Sequence, residues 1–135
     1  MAPALILETS FLIALTRERD RRTEAGPAQT FLERNQHSGL FTTATVVGEL
    51  AAGYSVGQRV RWEALLAPLQ VLPLTLEVCW EYGKADRYLR ANGLQIGAND
   101  LWIAATALAN SMPVVTGNER HFRRVPGLEV ISLLG

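Results

Sequence analysis

The apolar positions along this chain fall into two kinds of stretch. A short unbroken run occurs at Ala4–Leu7, and further short strand-like stretches occur at Leu40–Thr43, Val71–Leu72, "VVT" after Pro113, and "LEVIS" after Pro126-Gly127. Such runs predict short strands, and an unbroken run such as "ALIL" predicts a strand buried on both faces. Between them lie longer stretches with helical spacing. Thr9 or Ser10 caps a helix running to about Arg17, after which "RERDRRTEAG" reads as a charged loop. Pro27 opens a second helix to about Gln36, and Ser38-Gly39 ends it. Thr45 caps "VVGELAAGY", and "GQRVRWEALLAPL" forms an amphipathic helix stopped by Pro68. Thr75 opens a long helix ending at Asn92-Gly93. Asn99 caps "DLWIAATALANS", apolar almost all round and therefore central, and "ERHFRR" forms a short helix.

Strands thus alternate with helices from end to end. That alternation predicts an α/β fold with a mainly parallel sheet covered by helices on both faces. With no internal repeat and no linker, residues 1–135 read as a single domain.

Composition changes this picture little. Thirteen basic residues balance thirteen acidic ones, so no global field draws in a polyanion and any such partner must be held by a local patch. All the basic residues except Lys84 are arginines, a side chain suited to bidentate phosphate contacts but equally a mark of codon bias. Cys79 is the only cysteine; its spacing with Leu76 and Tyr82 reads as a buried structural thiol. The N-terminal run lacks a basic segment and is broken by Glu8, which disfavours a signal peptide. Pro68, Gln70 and Pro73 break the apolar stretch after Ala64, which excludes a membrane span there. A cytoplasmic protein is the expectation.

Candidate chemistry lies where strands end. In open parallel sheets ligands bind beyond the carboxyl ends of the strands. Glu8 ends the first strand, Asn118 follows the "VVT" strand, Glu49 lies one turn into the helix after the second strand, and Asp100 opens the apolar helix. Each has a plain structural reading. Glu8 suits a solvated strand end, Glu49 the border of an apolar stripe, Asp100 a helix dipole and Asn118 a turn. Their joint placement points elsewhere. Hard oxygen donors without thiolates suit Mg²⁺ or Mn²⁺. His37 and His121 have no local ligand partner that would suggest zinc. Close-set carboxylates need a cation to relieve their repulsion, and the cation would serve phosphodiester hydrolysis. A Gly-Lys-Ser/Thr phosphate loop, a G-x-G-x-x-G fingerprint and a G-x-S-x-G elbow are all missing. That weighs against a nucleotide-binding or serine-hydrolase reading.

Four stretches, "LILETSFLIAL", "ATVVGELAAG", "IGANDLWIAATALA" and "VVTGNERHFRRVPGLEV", together resemble a PIN-domain ribonuclease of the VapC toxin type, in order and spacing along essentially the whole chain. The resemblance implies a three-layer α/β/α fold, an active site dependent on Mg²⁺ or Mn²⁺, and cleavage of RNA of the transfer or ribosomal class. It also implies a homodimer, with higher-order assembly on a small inhibitory antitoxin. By position, Glu49 and Asp100 match metal-site acids, and Asn118 matches an aspartate or asparagine that follows Thr116 by two. His121 matches a place where many members have another aspartate. Thr9 and Ser10 match hydroxyl residues after the first acid. Glu8 departs from the pattern, which has aspartate there. The extra methylene moves the carboxylate by about 1.5 Å, which leaves open an alternative: a catalytically weakened protein that binds antitoxin or RNA without efficient cleavage. Arg17, Arg19, Arg21 and Arg22 on one flank, and Arg120, Arg123 and Arg124 on the other, are candidates for phosphate contacts or simply solvated charges. Trp62, Trp80 and Trp102 lie in apolar helical patterns and read as core.

Overall fold

The computed structural model describes residues 3–21 and 24–133. Strand β1 (Ala4–Leu7) has three consecutive buried residues, Leu5, Ile6 and Leu7. Successive strand side chains point to opposite faces, so both faces of β1 are covered. Its neighbours are β2 (Gly39–Thr43) and β4 (Val114–Thr116); β3 (Gln70–Leu72) lies outside β2 and β5 (Val130–Ser132) outside β4. The order is β3-β2-β1-β4-β5 and every pairing is parallel. The chain builds outward from β1 through β2 to β3, then crosses back to build β4 and β5. The carboxyl ends of β1 and β4 therefore flank the point where the strand order reverses, which is where such sheets bind ligands.

Among the described residues seven α-helices fill the connections: α1 (Thr9–Arg21), α2 (Pro27–Arg34), α3 (Ala44–Ala52), α4 (Arg59–Leu66), α5 (Leu76–Ala91), α6 (Ala98–Asn110) and α7 (Glu119–Phe122), with one 3-10 turn at Val56–Gln58. The fold is a three-layer α/β/α sandwich, as the alternation predicts. The core runs through Ile6, Phe11, Leu12, Val46, Leu89, Ile103, Val114 and Phe122.

Several local readings change. Helix α1 runs to Arg21 rather than about Arg17, so "RERDR" is not loop. Arginine and glutamate are good helix formers, and Glu18 has a partner: its carboxylate accepts from Ala28 N at 2.8 Å and Gln29 N at 3.0 Å, capping α2 from outside. Thr43, not Thr45, caps α3, with its hydroxyl accepting from Val46 N at 3.1 Å. Gly97, not Asn99, precedes α6. Thr75 caps α5 as expected, and Gly93 beyond its end takes the left-handed φ of +64°.

Cys79 is exposed, not buried, and Trp80 is 70% exposed, not core. The buried face of α5 is Val78, Ala85 and Leu89, and Cys79 and Trp80 are rotated away from it. Trp62 and Trp102 do pack partly inward: Trp62 Nε1 donates to Val47 O at 3.2 Å, and Trp102 stacks on Tyr82 with centroids 4.0 Å apart. No helix among the described residues is long and apolar enough to cross a membrane.

Candidate functional site

β1 delivers Glu8 to the reversal point. Its backbone N–H continues the ladder to Val115 O at 3.1 Å, so the residue sits between β1 and β4 and is only 4% exposed. A buried carboxylate needs donors, and hydroxyls supply them. Ser10 Oγ and Thr116 Oγ1 both donate to Glu8 Oε1, and Ser10 N donates to Oε2 at 3.1 Å. Those hydroxyls are themselves acceptors. Gly117 N donates to Ser10 Oγ at 2.8 Å, and Asn118 N donates to Thr116 Oγ1 at 2.9 Å. Two relays therefore run from the loop after β4 through a hydroxyl to Glu8. Gly117 suits this loop because a Cβ there would stand 3.3 Å from Ser10 Oγ.

α3 and α6 bring the other acids. Glu49 Oε1 accepts from Thr9 Oγ1 at 2.7 Å, and its Oε2 accepts from Asn99 Nδ2 at 3.3 Å. Asp100 lies in the first turn of α6, whose N-terminus is at this end of the sheet because α6 runs back to start β4. Its Oδ2 is 3.1 Å from His121 Nδ1. Asp100 and Glu8 are close enough for their charges to repel. Among the described residues no lysine or arginine ion pair reaches Glu8, Glu49 or Asp100.

The structure thus draws Thr9, Ser10 and Thr116 into the site together with the acids. It corrects the expectation that His121 lacks a ligand-type partner; the pairing with Asp100 spans 21 positions and has no local signature. Asn118 is tied in through its backbone, while its exposed side chain makes no cap bond to α7. Asn99, which the sequence reading assigned to helix capping, bonds Glu49 and so joins the candidate site; its position beside Asp100 was the available signal. One expectation is not met as the side chains stand. No three His, Cys, Asp or Glu groups among the described residues are gathered closely enough to form a metal cage. Each carboxylate is turned instead towards a neutral or imidazole donor. The donor set nevertheless fits a hard divalent cation in kind: carboxylate oxygens, those of Glu8 and Asp100 repelling each other, without arginine or lysine ion pairs among the described residues.

The basic flanks are thinner than the sequence suggests. Arg123 pairs with Glu119 at 2.7 Å, and Arg124 donates to Gln95 O at 3.1 Å. Arg120 is exposed at the start of α7. On the other flank Arg19 and Arg21 are exposed, while Arg22 lies outside the described residues. Arg17 lines a groove of about 350 Å³ between α1, α3 and α4, together with Ile13, Glu49, Leu50, Tyr54 and Arg61.

Burial, the leading cause, lifts the Glu8 carboxyl above its ordinary 4.5; the Ser10 and Thr116 donors hold it back and the charge of Asp100 adds to the rise. The folded protein therefore binds this proton more tightly than the unfolded chain. That stabilisation is complete below about pH 4.5 and is lost as pH rises through the folded-state value. Urea midpoints of chelator-treated protein should fall across this window, and Glu8→Gln, which cannot titrate, should show a shallower fall. An identical pH profile for both proteins would contradict the assignment.

The PIN-domain family model matches residues 5–128. The chain is 31% identical to Ribonuclease VapC of Rickettsia bellii, covering 96% of each protein. It is 28% identical to Ribonuclease VapC1 of Haemophilus influenzae, covering 92% of this chain and 93% of that one. Among solved structures, VapBC-1 from nontypeable Haemophilus influenzae superposes with a TM-score of 0.78 at 27% identity, covering 98% of this chain and 99% of the other. VapBC2 from Rickettsia felis, bound to a promoter DNA fragment, shares the fold with a TM-score of 0.83 at 23% identity, covering 96% and 98%.

Proposed function

We propose that this chain, which belongs to the PIN-domain family, is a metal-dependent endoribonuclease of the VapC toxin kind, held in check by an antitoxin. The observation that carries this reading is the placement of Glu8, Glu49 and Asp100 at the same end of the sheet, beside the strand-order reversal, without arginine or lysine ion pairs among the described residues. Ribonuclease names among relatives that match nearly the whole chain support it.

Asp100, Glu49 and Glu8 would hold a Mg²⁺ or Mn²⁺ ion, which when bound would activate a water and offset charge on the phosphoryl oxygen. Glu8 Oε2 takes a single protein donor, Ser10 N, which leaves it acceptor capacity for a cation. Thr9 and Asn99 hold Glu49 in place, and His121 meets Asp100. Ser10 and Thr116 set the loop that carries Asn118, whose exposed amide would meet the phosphate or a water. Arg120, exposed at the same rim, would contact a backbone phosphate of the RNA.

The test is cleavage of RNA by the purified protein with Mg²⁺ or Mn²⁺, and again with excess chelator. Cleavage is expected only with the cation. Chelator-resistant cleavage, or none by either this protein or Glu8→Asp, would sink the nuclease reading. A second reading rests on the donors that engage Glu8: a weakened nuclease that binds antitoxin or RNA without efficient cleavage. Cleavage seen only in Glu8→Asp would favour it.

Two surfaces bear on partners. The groove that includes Glu49 is lined by the apolar or aromatic side chains of Ile13, Leu50 and Tyr54 and the charged ones of Arg17, Asp20 and Arg61, which suits an antitoxin segment reaching towards the acids. VapBC complexes among the structural relatives support such a partner. On α5, Leu76 is 90% exposed and Trp80 lies one turn further on. Adjacent exposed apolar side chains of this size suit a protein interface, and we assign this one to a homodimer. Trp80→Glu is expected to give a monomer by sedimentation velocity with little change in stability; an unchanged dimer would place the interface elsewhere.

A further inference from the structure

We propose that His121 is itself a ligand of the cation, sharing it with Asp100, and that its ring nitrogen turns the site's preference from Mg²⁺ towards Mn²⁺. This rests on the metal-dependent reading above and adds to it the identity of a ligand and of the preferred ion.

The geometry comes first. His121 Nδ1 and Asp100 Oδ2 stand 3.1 Å apart. Two neighbouring ligands of an octahedral ion with bonds of ~2.1 Å lie ~3 Å apart. Asp100 only accepts, so Nδ1 is the donor in the free protein; a cation taking the place of that proton would find the two atoms already spaced as adjacent ligands. They form the only histidine–carboxylate pair among the described residues.

The pair is also held in place by its surroundings. His121 precedes Phe122, which is fully buried, and α7 packs against both α6 and β5. Asp100 belongs to the first turn of α6, whose core residues Leu101, Ile103 and Ala104 are buried. The ring remains 40% exposed, open to an ion arriving from solvent. Meanwhile Glu8 Oε1 is occupied by two hydroxyls, so the acid set is short of one freely turned oxygen. An additional donor on Asp100 makes up that shortfall.

The chemistry sets the preference. Mg²⁺ takes oxygen ligands and gives up its waters reluctantly. Imidazole nitrogen is a softer donor that first-row transition ions accept. A histidine at this position therefore costs Mg²⁺ affinity and gains Mn²⁺ affinity relative to a carboxylate there.

The experiment uses the full chain with each metal alone. Calorimetric titrations with Mn²⁺ and Mg²⁺ give the affinity ratio, and pulsed EPR of the Mn²⁺-loaded protein reports any directly bound nitrogen. Nitrogen coupling is expected in the parent protein and absent in His121→Asp. The Mn²⁺-to-Mg²⁺ affinity ratio should fall about ten-fold or more in that variant. His121→Asn, which removes the ring without adding charge, should lose the coupling and weaken Mn²⁺ binding. Mn²⁺ bound without nitrogen coupling, coupling that survives in His121→Asp, or an unchanged ratio would overturn the assignment while leaving the nuclease reading intact. Failure of all three proteins to bind either ion would overturn both.

Discussion

Asp100→Asn is expected to reduce metal-dependent RNA cleavage by about 10²–10³-fold while leaving the fold in place. Under the proposed function Asp100 is the acid least committed to protein donors: His121 is its one side-chain partner, against three donor groups on Glu8 and two on Glu49. Losing its charge weakens the hold on a cation that contributes several kcal/mol to transition-state stabilisation, and each 1.36 kcal/mol is tenfold in rate. The stability cost is small. Asparagine is isosteric and still offers an oxygen to His121, and the lost favourable charge at the start of α6 is worth about 0.3–1 kcal/mol. Cleavage at saturating Mn²⁺ and a urea denaturation curve separate the two effects. Near-normal cleavage by Asp100→Asn would remove this residue from the site.

Phe122→Ala should have the largest effect on stability, a loss of about 3–5 kcal/mol. Phe122 is fully buried and belongs to the main core cluster. It is also the only buried residue of a four-residue helix. A helix that short has no stability of its own, so α7 exists because Phe122 and, just beyond it, Val125 are packed inside. Emptying the Phe122 site removes core contacts and releases the segment that carries His121 and Arg120. The urea midpoint should drop steeply. Divalent-ion affinity should fall even at temperatures where the variant is folded. A change below about 1 kcal/mol would mean that α7 is held by something other than its aromatic anchor.

Much of this fold can be read from local pattern. "ALIL" and "VVT" are unbroken apolar runs because β1 and β4 are covered on both faces. Thr75 and Gly93 mark the ends of α5 because caps are local chemistry. Where the local reading slipped, a distant group was responsible. "RERDR" looks like loop until Glu18 is seen capping α2. Cys79 and Trp80 look buried because an apolar side chain on a helix is ambiguous by about one position. Only the helix's packing partner decides that Val78, Ala85 and Leu89 face inward.

The candidate site divides along the same line. The residue types and their order along the chain are sequence properties: an acid after β1, an acid in α3, an acid opening α6, and hydroxyls just after β1 and at the end of β4. So is the resemblance those stretches carry, since each motif is short and contiguous. The sequence alone therefore determined the fold class and the family, and it named the residues that the fold places around the candidate site. It could not decide which atoms meet. The bond from Thr116 to Glu8 spans 108 positions, that from Thr9 to Glu49 spans 40, and that between His121 and Asp100 spans 21. Periodicity constrains neighbours a turn or a strand apart and has nothing to say at those separations. The tertiary structure decided them. Placing β4 beside β1 sets Thr116 against Glu8 and turns that carboxylate into the hydroxyls. Burying Phe122 sets His121 against Asp100 at the rim of the same sheet.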